Sequence, residues 1–240
     1  MLDLGAGTGE VGNALRRQLP AAASYFALDA SLGMLALFGA KALRDKLPAG
    51  RTEAAWLRVV ADGSRRWPLT TGAVTAIFCS RAAHRLVGGV LLAEARRVLR
   101  PGGQVVFGSL ERSRDSVRAR LKRRMRALLA EVLGLEAAGR DSRRQHQELA
   151  TALAAGPGGS IEERLAASWE IFERPADSLA GWRGKRGLAG LEVTARQQNE
   201  VLDRLELWAS EQYGDLNTPR PAIERYQLLI ARLGQSEEKV

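Results

Sequence analysis

The sequence predicts an α/β fold: a doubly wound, mostly parallel sheet of seven strands, with added helices in the C-terminal half. Two observations support this prediction. Short apolar runs alternate with segments of helical periodicity through the first half of the chain, and longer amphipathic segments followed by further strand-like runs occupy the second half. Strand–helix–strand order requires crossover connections, which are right-handed and produce a parallel sheet.

The first half contains five predicted strands, over residues 1–4, 25–28, 57–61, 73–79 and 104–107. The apolar spacing of the segments between them predicts helices over residues 11–19, 34–47 and 87–99. Glycines follow the first strand, and "RPGG" (residues 100–103) ends the third helix. Residues 1–111 are therefore predicted to form a core with a parallel sheet.

The second half begins with apolar residues spaced by three or four, from Val117 to Leu135, which predict a long helix. Further helices are expected over 144–154 and 200–214. "ASWEIFERP" (167–175) predicts a strand that stops at Pro175. "IERYQLLIARL" (223–233) is compatible with a strand or a helix, and its alternation favours a strand at a sheet edge. We expect residues 112–165 to form a helical insertion or substrate cover, and residues 166–240 to complete the sheet with helices.

Five aromatic side chains lie in this half of the chain, and they are expected to form the core of the added helices or, less favoured, the wall of an apolar pocket. They are Trp169, Phe172, Trp182, Trp208 and Tyr213.

Composition limits the classes of protein that fit. No apolar run approaches the roughly 20 residues that span a bilayer, and no signal peptide is visible. The single cysteine, Cys79, excludes an internal disulfide, so a cytoplasmic location is expected. The net charge of +9 fits either a surface that binds polyanions or a compositional bias toward arginine.

The glycine turn after the first strand has the pattern G-x-G-x-G, formed by Gly5, Gly7 and Gly9. The dinucleotide fingerprint G-x-G-x-x-G would need a glycine at position 10, where Glu10 stands. A carboxylate in the first helical turn suits the helix dipole but would repel a phosphate. The residues therefore favour a ligand that lacks phosphates and approaches a tight backbone turn.

"LDLGAGTGEVG" resembles motif I of the class I methyltransferases that use S-adenosylmethionine. The family's later motifs follow in order: Asp29 ends the second strand in "YFALDAS", Asp62 follows the third in "VVADGSRRWPL", and "EARRVLRPGG" contains Glu94. The resemblance, which covers residues 1–110, implies the class I methyltransferase fold and S-adenosylmethionine as cofactor. Relatives usually have several tens of residues before motif I, so it also implies that the N-terminal helices are missing and that the cofactor cleft is open on one side.

The resemblance implies a role for each matching position. Asp3 would lie under the methionine end of the cofactor, and Asp29 would hold the ribose hydroxyls. Four residues of the turn would give backbone contact: Gly5, Ala6, Gly7 and Gly9.

The remaining positions of the motifs would surround the adenine and the methyl group. Ala30 and Met34 would flank the adenine, while Asp62 would accept from its amino group beside the Gly63 N–H. Two residues at the end of the fourth strand would line the mouth where the methyl is transferred, namely Cys79 and Ser80.

The acceptor is less defined by the sequence. His84, in "CSRAAHRL" after the fourth strand, is a candidate general base, and the alternative is that it caps or packs a helix. The signatures of DNA amino-methyltransferases are missing, and no Cys/His cluster suggests a metal site. A small-molecule acceptor is therefore the leading expectation.

Two other functions stay open. "RSRDSVRARLKRRMR" (Arg112 to Arg126) has eight basic residues in 15 positions, which could dock RNA or an acidic protein or could be a solvated face. A methyltransferase for RNA or protein is thus one alternative. A non-catalytic relative that serves as a scaffold is the other.

Overall fold

The structure, a computed structural model, describes residues 1–44, 55–137 and 142–234. It confirms the predicted fold: a seven-stranded sheet that is largely parallel, with an antiparallel hairpin, and helices that flank it. The strands are Leu2–Leu4 (β1), Ser24–Asp29 (β2), Ala55–Val60 (β3), Val74–Ser80 (β4), Leu99–Arg112 (β5), Ser160–Glu173 (β6) and Arg220–Arg232 (β7). The helices are Glu10–Gln18 (α1), Leu32–Arg44 (α2), Gly88–Val98 (α3), Val117–Leu133 (α4), Ser142–Ala154 (α5), Pro175–Arg183 (α6) and Ala195–Tyr213 (α7).

The strand order of the sheet is β3-β2-β1-β4-β5-β7-β6. Strand β1 lies between β2 and β4 and is parallel to both, with Leu2 opposite Phe26 on one side and Ile77 on the other. The chain order reverses at this point, and the carboxyl ends of β1, β2 and β4 meet at one edge. In open α/β sheets ligands bind at such a switch point.

The chain divides into two compact units. The first unit comprises 1–109, 141–165 and 227–240, and the second comprises 110–140 and 166–226. Apolar residues of β1, β4, β5, α3 and α5 form the main core of the first unit. The core of the second unit is built from α4, α6 and α7 around side chains such as Leu121, Leu129 and Leu205.

Local sequence signals explain where the helices of the second unit begin and end. The Ser116 hydroxyl caps α4 by accepting from the Ala119 N–H at 3.2 Å, and Gly134 ends the helix with a φ of 62°. Thr194 and Gln197 form a reciprocal capping box at the start of α7. These devices satisfy backbone groups that the ends of helices leave unpaired.

The structure also differs from the sequence prediction in detail. The segment 223–233 is strand up to Arg232, within β7, as favoured. Helix α6 was not predicted, because Pro175 was interpreted only as the end of a strand. Proline at the first helical position with Asp177 in the first turn is a helix-start signal. The end of the predicted helix 34–47 lies outside the described residues.

The aromatic residues of the C-terminal half do not share one environment. Trp182, Trp208 and Tyr213 belong to the core of the second unit, as expected. Trp169 and Phe172 lie on β6 with 39% and 66% of their surface exposed, so the expectation that they are core residues was wrong.

Candidate functional site

A cleft of about 680 Å³ lies at the carboxyl ends of β1, β2 and β4, within the first unit. Ten residues that the sequence singles out line it: Asp3, Gly5, Ala6, Gly7, Asp29, Ala30, Met34, Asp62, Gly63 and Ser80. The parallel order of the strands brings these residues together, although they come from four separate segments of the chain. Gly9, Cys79 and His84 are not among the lining residues.

The glycine turn forms one wall of the cleft. The Gly5 and Ala6 N–H groups donate to the Leu28 carbonyl at 2.8 and 3.0 Å, which ties the turn to the end of β2. Gly7 has a φ of 56°, and a Cβ built on it would meet no atom within 4 Å. Its backbone therefore faces open space, where a ligand can approach closely.

Gly9, which the resemblance places among the cofactor contacts, packs closely against a neighbouring helix. Its φ is 73°, and a Cβ at this position would lie 2.3 Å from the Phe38 ring. The missing side chain lets α1 begin directly against α2. Gly9 thus permits helix packing behind the cleft and does not line it.

The Asp29 carboxylate joins two segments of the cleft. Its Oδ2 accepts from the Gly7 N–H and its Oδ1 accepts from the Ser31 N–H, both at 2.9 Å. Each carboxylate oxygen can accept more than one hydrogen bond. Asp29 can therefore hold the turn and still accept from ligand hydroxyl groups.

Asp3 lies in the floor of the cleft and is 3% exposed. The Tyr25 hydroxyl donates to its Oδ2 at 2.5 Å. Burial raises the pKa of the Asp3 carboxyl from 3.8 to about 6; the Tyr25 hydrogen bond opposes this shift and the Asp29 charge adds to it. A cation in the cleft would be attracted to this carboxylate and would favour its ionised form.

The loop between β3 and β4 presents Asp62 and Gly63 to the cleft. The Trp67 indole N–H donates to the Gly63 carbonyl at 3.0 Å, and the Trp67 backbone N–H donates to Glu94 Oε2 at 2.8 Å. Arg97 pairs with Glu94 and also donates to the Trp67 and Leu69 carbonyls at 3.0 and 2.6 Å. The "EARRVLRPGG" motif thus fixes the loop that carries Asp62.

Replacing Glu94 with alanine should lower the free energy of unfolding by about 3 kcal/mol, because it leaves the largely buried Arg97 without its carboxylate partner and the Trp67 N–H without its acceptor. The Arg97 hydrogen bond holds the pKa of Glu94 below its ordinary value of 4.5. The stabilisation is therefore present above that pH and is lost as the pH falls below it. Urea unfolding at neutral and acidic pH measures both effects.

The matched control for this prediction is Glu148→Ala, which removes the exposed pair between Glu148 and Arg144 on α5. An exposed pair of this kind contributes less than about 1 kcal/mol. Equal losses in the two variants would contradict the role given to Glu94.

The residues at the end of β4 and just after it have different environments. Ser80 lines the cleft with Phe78, whereas Cys79 points to the other face of the sheet and is fully buried. Burial raises the pKa of the Cys79 thiol to about 12, which makes it a poor nucleophile. His84 lies in a 3-10 turn, Ala83–Arg85. Burial lowers the pKa of His146, and the charge of His84 lowers it further.

Arg81 is a lining residue that the sequence did not indicate. It follows β4 directly and has a φ of 54°, although it is not glycine. Backbone of this kind is strained by roughly 1–3 kcal/mol and is found preferentially at functional sites. No composition or spacing signal marks such a residue in advance.

We expect Arg81→Gly to be more stable than Arg81→Ala by about 1 kcal/mol, because only glycine removes the strain at positive φ. Chemical denaturation of the two variants measures this difference. Both variants remove the guanidinium, so if it contacts a ligand, both should lose the same amount of ligand affinity. If the glycine variant were the less stable one, the strain assigned to Arg81 would be refuted.

The comparison with protein families gives a match to the methyltransferase domain over residues 2–107, from β1 into β5. This segment is similar to a methyltransferase domain. Every residue that lines the cleft belongs to it. The matched segment therefore contains the whole candidate site.

Solved structures with a similar fold extend the likeness to nearly the whole chain. One, from Bacillus halodurans and provisionally identified as a methyltransferase, is 18% identical, with 98% of this chain and 92% of that chain covered and a TM-score of 0.55. A provisionally identified type II methyltransferase from Anaeromyxobacter dehalogenans is 20% identical, with 98% and 90% covered and a TM-score of 0.55. The YcgJ protein of Bacillus subtilis is 15% identical, with 98% and 92% covered and a TM-score of 0.54. A comparison with curated protein sequences finds no match.

Two further observations on the described residues concern membrane spans and metal sites. No helix among them is long and apolar enough to cross a membrane. In the same part of the chain, no group of three or more His, Cys, Asp or Glu side chains could hold a metal ion.

Proposed function

We propose that the protein binds S-adenosylmethionine in the cleft of its methyltransferase domain and transfers the methyl group to a small molecule. The observation that supports this most is the pair of carboxylates, Asp3 and Asp29, on either side of an open glycine turn. Their negative charge suits a cationic ligand with ribose hydroxyls and disfavours a dinucleotide phosphate. Bound S-adenosylmethionine would supply a methyl group on a sulfonium, which needs an aligned nucleophile more than an acid or base.

The residues of the cleft fit this cofactor by their chemistry. Asp29 would accept from the ribose hydroxyls while keeping its bonds to the Gly7 and Ser31 N–H groups. Asp3 would attract the positive charge of the methionine end. Ala30 and Met34 would flank the adenine, and Asp62 would accept from its amino group. The Asp62 Oδ1 accepts from the Ser64 N–H at 2.8 Å and its Oδ2 lies 3.4 Å from the exposed Arg65 Nε, and each oxygen can accept a further hydrogen bond.

The acceptor would enter beside Ser80 and Arg81 at the end of β4. His84 is proposed as a base for acceptors that must lose a proton, acting through a change in the turn that carries it. Replacement of His84 by glutamine should then lower turnover without changing the affinity for the cofactor. Equal turnover in the two proteins would remove His84 from the mechanism.

The experiment that tests the function has two steps. Calorimetry with S-adenosylmethionine measures binding, and failure to bind would favour the scaffold alternative over any enzyme. Labelled cofactor is then incubated with the small-molecule, RNA and protein fractions of a cell extract. Label in the small-molecule fraction supports the proposal, whereas label only in RNA or protein contradicts the proposed acceptor class.

One observation favours docking of RNA or an acidic protein as a second candidate. Arg118, Lys122 and Arg126 recur every four residues on α4, and in the described part of the chain no carboxylate lies within ion-pair distance of them. Burial lowers the pKa of Lys122, and the charges of Arg118, Arg126, Arg112 and Lys185 lower it further. A polyanion would relieve this repulsion.

Salt titration tests the second candidate. A polyanion that contacts several of these side chains should lose affinity steeply as salt concentration rises. Binding of RNA that does not change with salt would rule out docking through α4.

A further inference from the structure

Strand β6 is the end strand of the sheet that the described residues form, next to β7. It is 14 residues long, and every residue from Ser160 to Glu170 is exposed. An end strand presents unpaired N–H and C=O groups, and natural proteins usually shorten, charge or cover a strand of this length. The exposed edge of β6 therefore needs an explanation.

One face of β6 is mainly apolar. Because successive strand residues point to opposite faces, Ile161, Leu165, Ala167, Trp169 and Ile171 share this face, which Glu163 interrupts and Glu173 ends. Ile161, Leu165 and Trp169 are 38%, 51% and 39% exposed. A row of apolar side chains beside unpaired backbone groups is typical of a surface that another strand covers.

The sequence of β6 is complementary to itself in the antiparallel direction. If two copies pair with Ala167 opposite Ala167, Leu165 lies opposite Trp169 on the apolar face. On the other face, Arg164 lies opposite Glu170. Aromatic–aliphatic pairs and opposite charges across antiparallel strands both stabilise a sheet.

The charges of β6 select this register over its neighbours. Centring the pair on Ala166 would place Glu162 opposite Glu170, and centring it on Ser168 would place Glu163 opposite Glu173. Like charges directly opposite destabilise a strand pair. The register centred on Ala167 places no like charges opposite each other along the strand.

The existing contacts of Arg164 and Glu170 are compatible with a contact between these two residues across the strand pair. Glu170 has no cation within ion-pair distance among residues 1–44, 55–137 and 142–234. Arg164 binds Glu162 of its own strand through Nε and Nη2 at 3.0 and 2.6 Å, so its other donors stay available. A second copy would supply Arg164 as the partner that Glu170 lacks.

We propose that the protein forms a two-fold symmetric dimer by antiparallel pairing of β6 with β6 of a second copy, with the axis at Ala167. The strand edges supply the backbone hydrogen bonds. The Leu165–Trp169 and Arg164–Glu170 pairs, each formed twice, fix the register. This dimer does not depend on the proposed enzymatic function.

Charge exchange tests the register in the full-length chain. Analytical ultracentrifugation over a range of concentrations should show a dimer, and Arg164→Glu or Glu170→Arg alone should raise the dissociation constant about tenfold, since each places like charges opposite each other twice. The double variant R164E/E170R should restore the original value. A monomer at all concentrations, or single variants that leave the dissociation constant unchanged, would overturn the proposal.

A cysteine variant tests the position of the axis independently. Cα atoms directly opposite in an antiparallel pair are about 4.5–5.5 Å apart, within the range of a disulfide. Ala167→Cys should therefore give a covalent dimer on mild oxidation, while the native Cys79 stays buried. Ser160→Cys, exposed on the same strand but opposite Arg174, is the control and should stay monomeric on a denaturing gel. Equal cross-linking of the two variants would contradict the register.

Discussion

Asp29→Ala should weaken the binding of S-adenosylmethionine by about 100-fold or more. The variant removes the acceptor for the ribose hydroxyls, and hydrogen bonds to a charged group contribute about 1.5–3 kcal/mol each. It also releases the Gly7 and Ser31 N–H groups that the carboxylate holds at 2.9 Å. Isothermal titration calorimetry measures the affinity, and a thermal unfolding curve of the free protein shows how far the loss of these two bonds destabilises the fold.

The matched control is Asp62→Ala, which removes a more exposed carboxylate from the same cleft. Its Oδ1 accepts from the Ser64 N–H and its Oδ2 pairs with the exposed Arg65, both within its own loop. We expect a loss of about tenfold, because a single hydrogen bond to the adenine is at stake. If Asp29→Ala binds the cofactor as tightly as the unaltered protein, the ribose assignment fails.

Asp3→Asn should stabilise the free protein at neutral pH and weaken its binding of the cofactor. The raised pKa of Asp3, about 6 against 3.8, means that the folded state binds more protons than the unfolded state between these values. The carboxyl therefore contributes full stability below pH 3.8 and loses it as the pH rises through 6. The difference between the two pKa values corresponds to about 3 kcal/mol.

Urea unfolding at several pH values between 4 and 7.5 checks this prediction. The variant should become more stable than the unaltered protein as pH rises, with the gap widening up to about pH 6. A gap that does not change with pH would show that Asp3 is ionised normally. A second comparison uses Tyr25→Phe as the background. This change removes a hydrogen bond that lowers the pKa of Asp3, so the stability gap between Tyr25→Phe and Tyr25→Phe/Asp3→Asn should keep widening to a higher pH.

Most residues of the cleft could be predicted, because the carboxyl ends of parallel strands lie at the same edge of the sheet. The glycine turn, Asp29 and Asp62 each follow a strand directly, so their meeting depends only on strand order. The same reasoning separates Ser80 from Cys79: neighbouring strand residues face opposite sides, and only Ser80 is beside Phe78 in the cleft. The resemblance implies Cys79 as well as Ser80 at the methyl-transfer mouth, but strand alternation turns the Cys79 side chain away from the cleft.

Other features depend on contacts between distant segments and could not be predicted. The positive φ of Arg81 is imposed by its surroundings, and the Arg side chain gives no sign of it. Gly9 matches the motif, but its requirement for glycine comes from the Phe38 ring of α2. The link from Glu94 through Trp67 to Gly63 connects residues about 30 positions apart, which no local pattern reports.

Because the two units are interleaved along the chain, truncating the chain removes part of a unit's core. The first unit is completed by residues that come long after the family-matched segment: Leu149, Ala150 and Leu153 of α5 and Ala231 of β7 are all buried in its main core. A fragment that ends near residue 109 would expose the apolar surface that these side chains cover. The family-matched segment contains the entire cleft, but residues from distant parts of the same chain cover part of its apolar core.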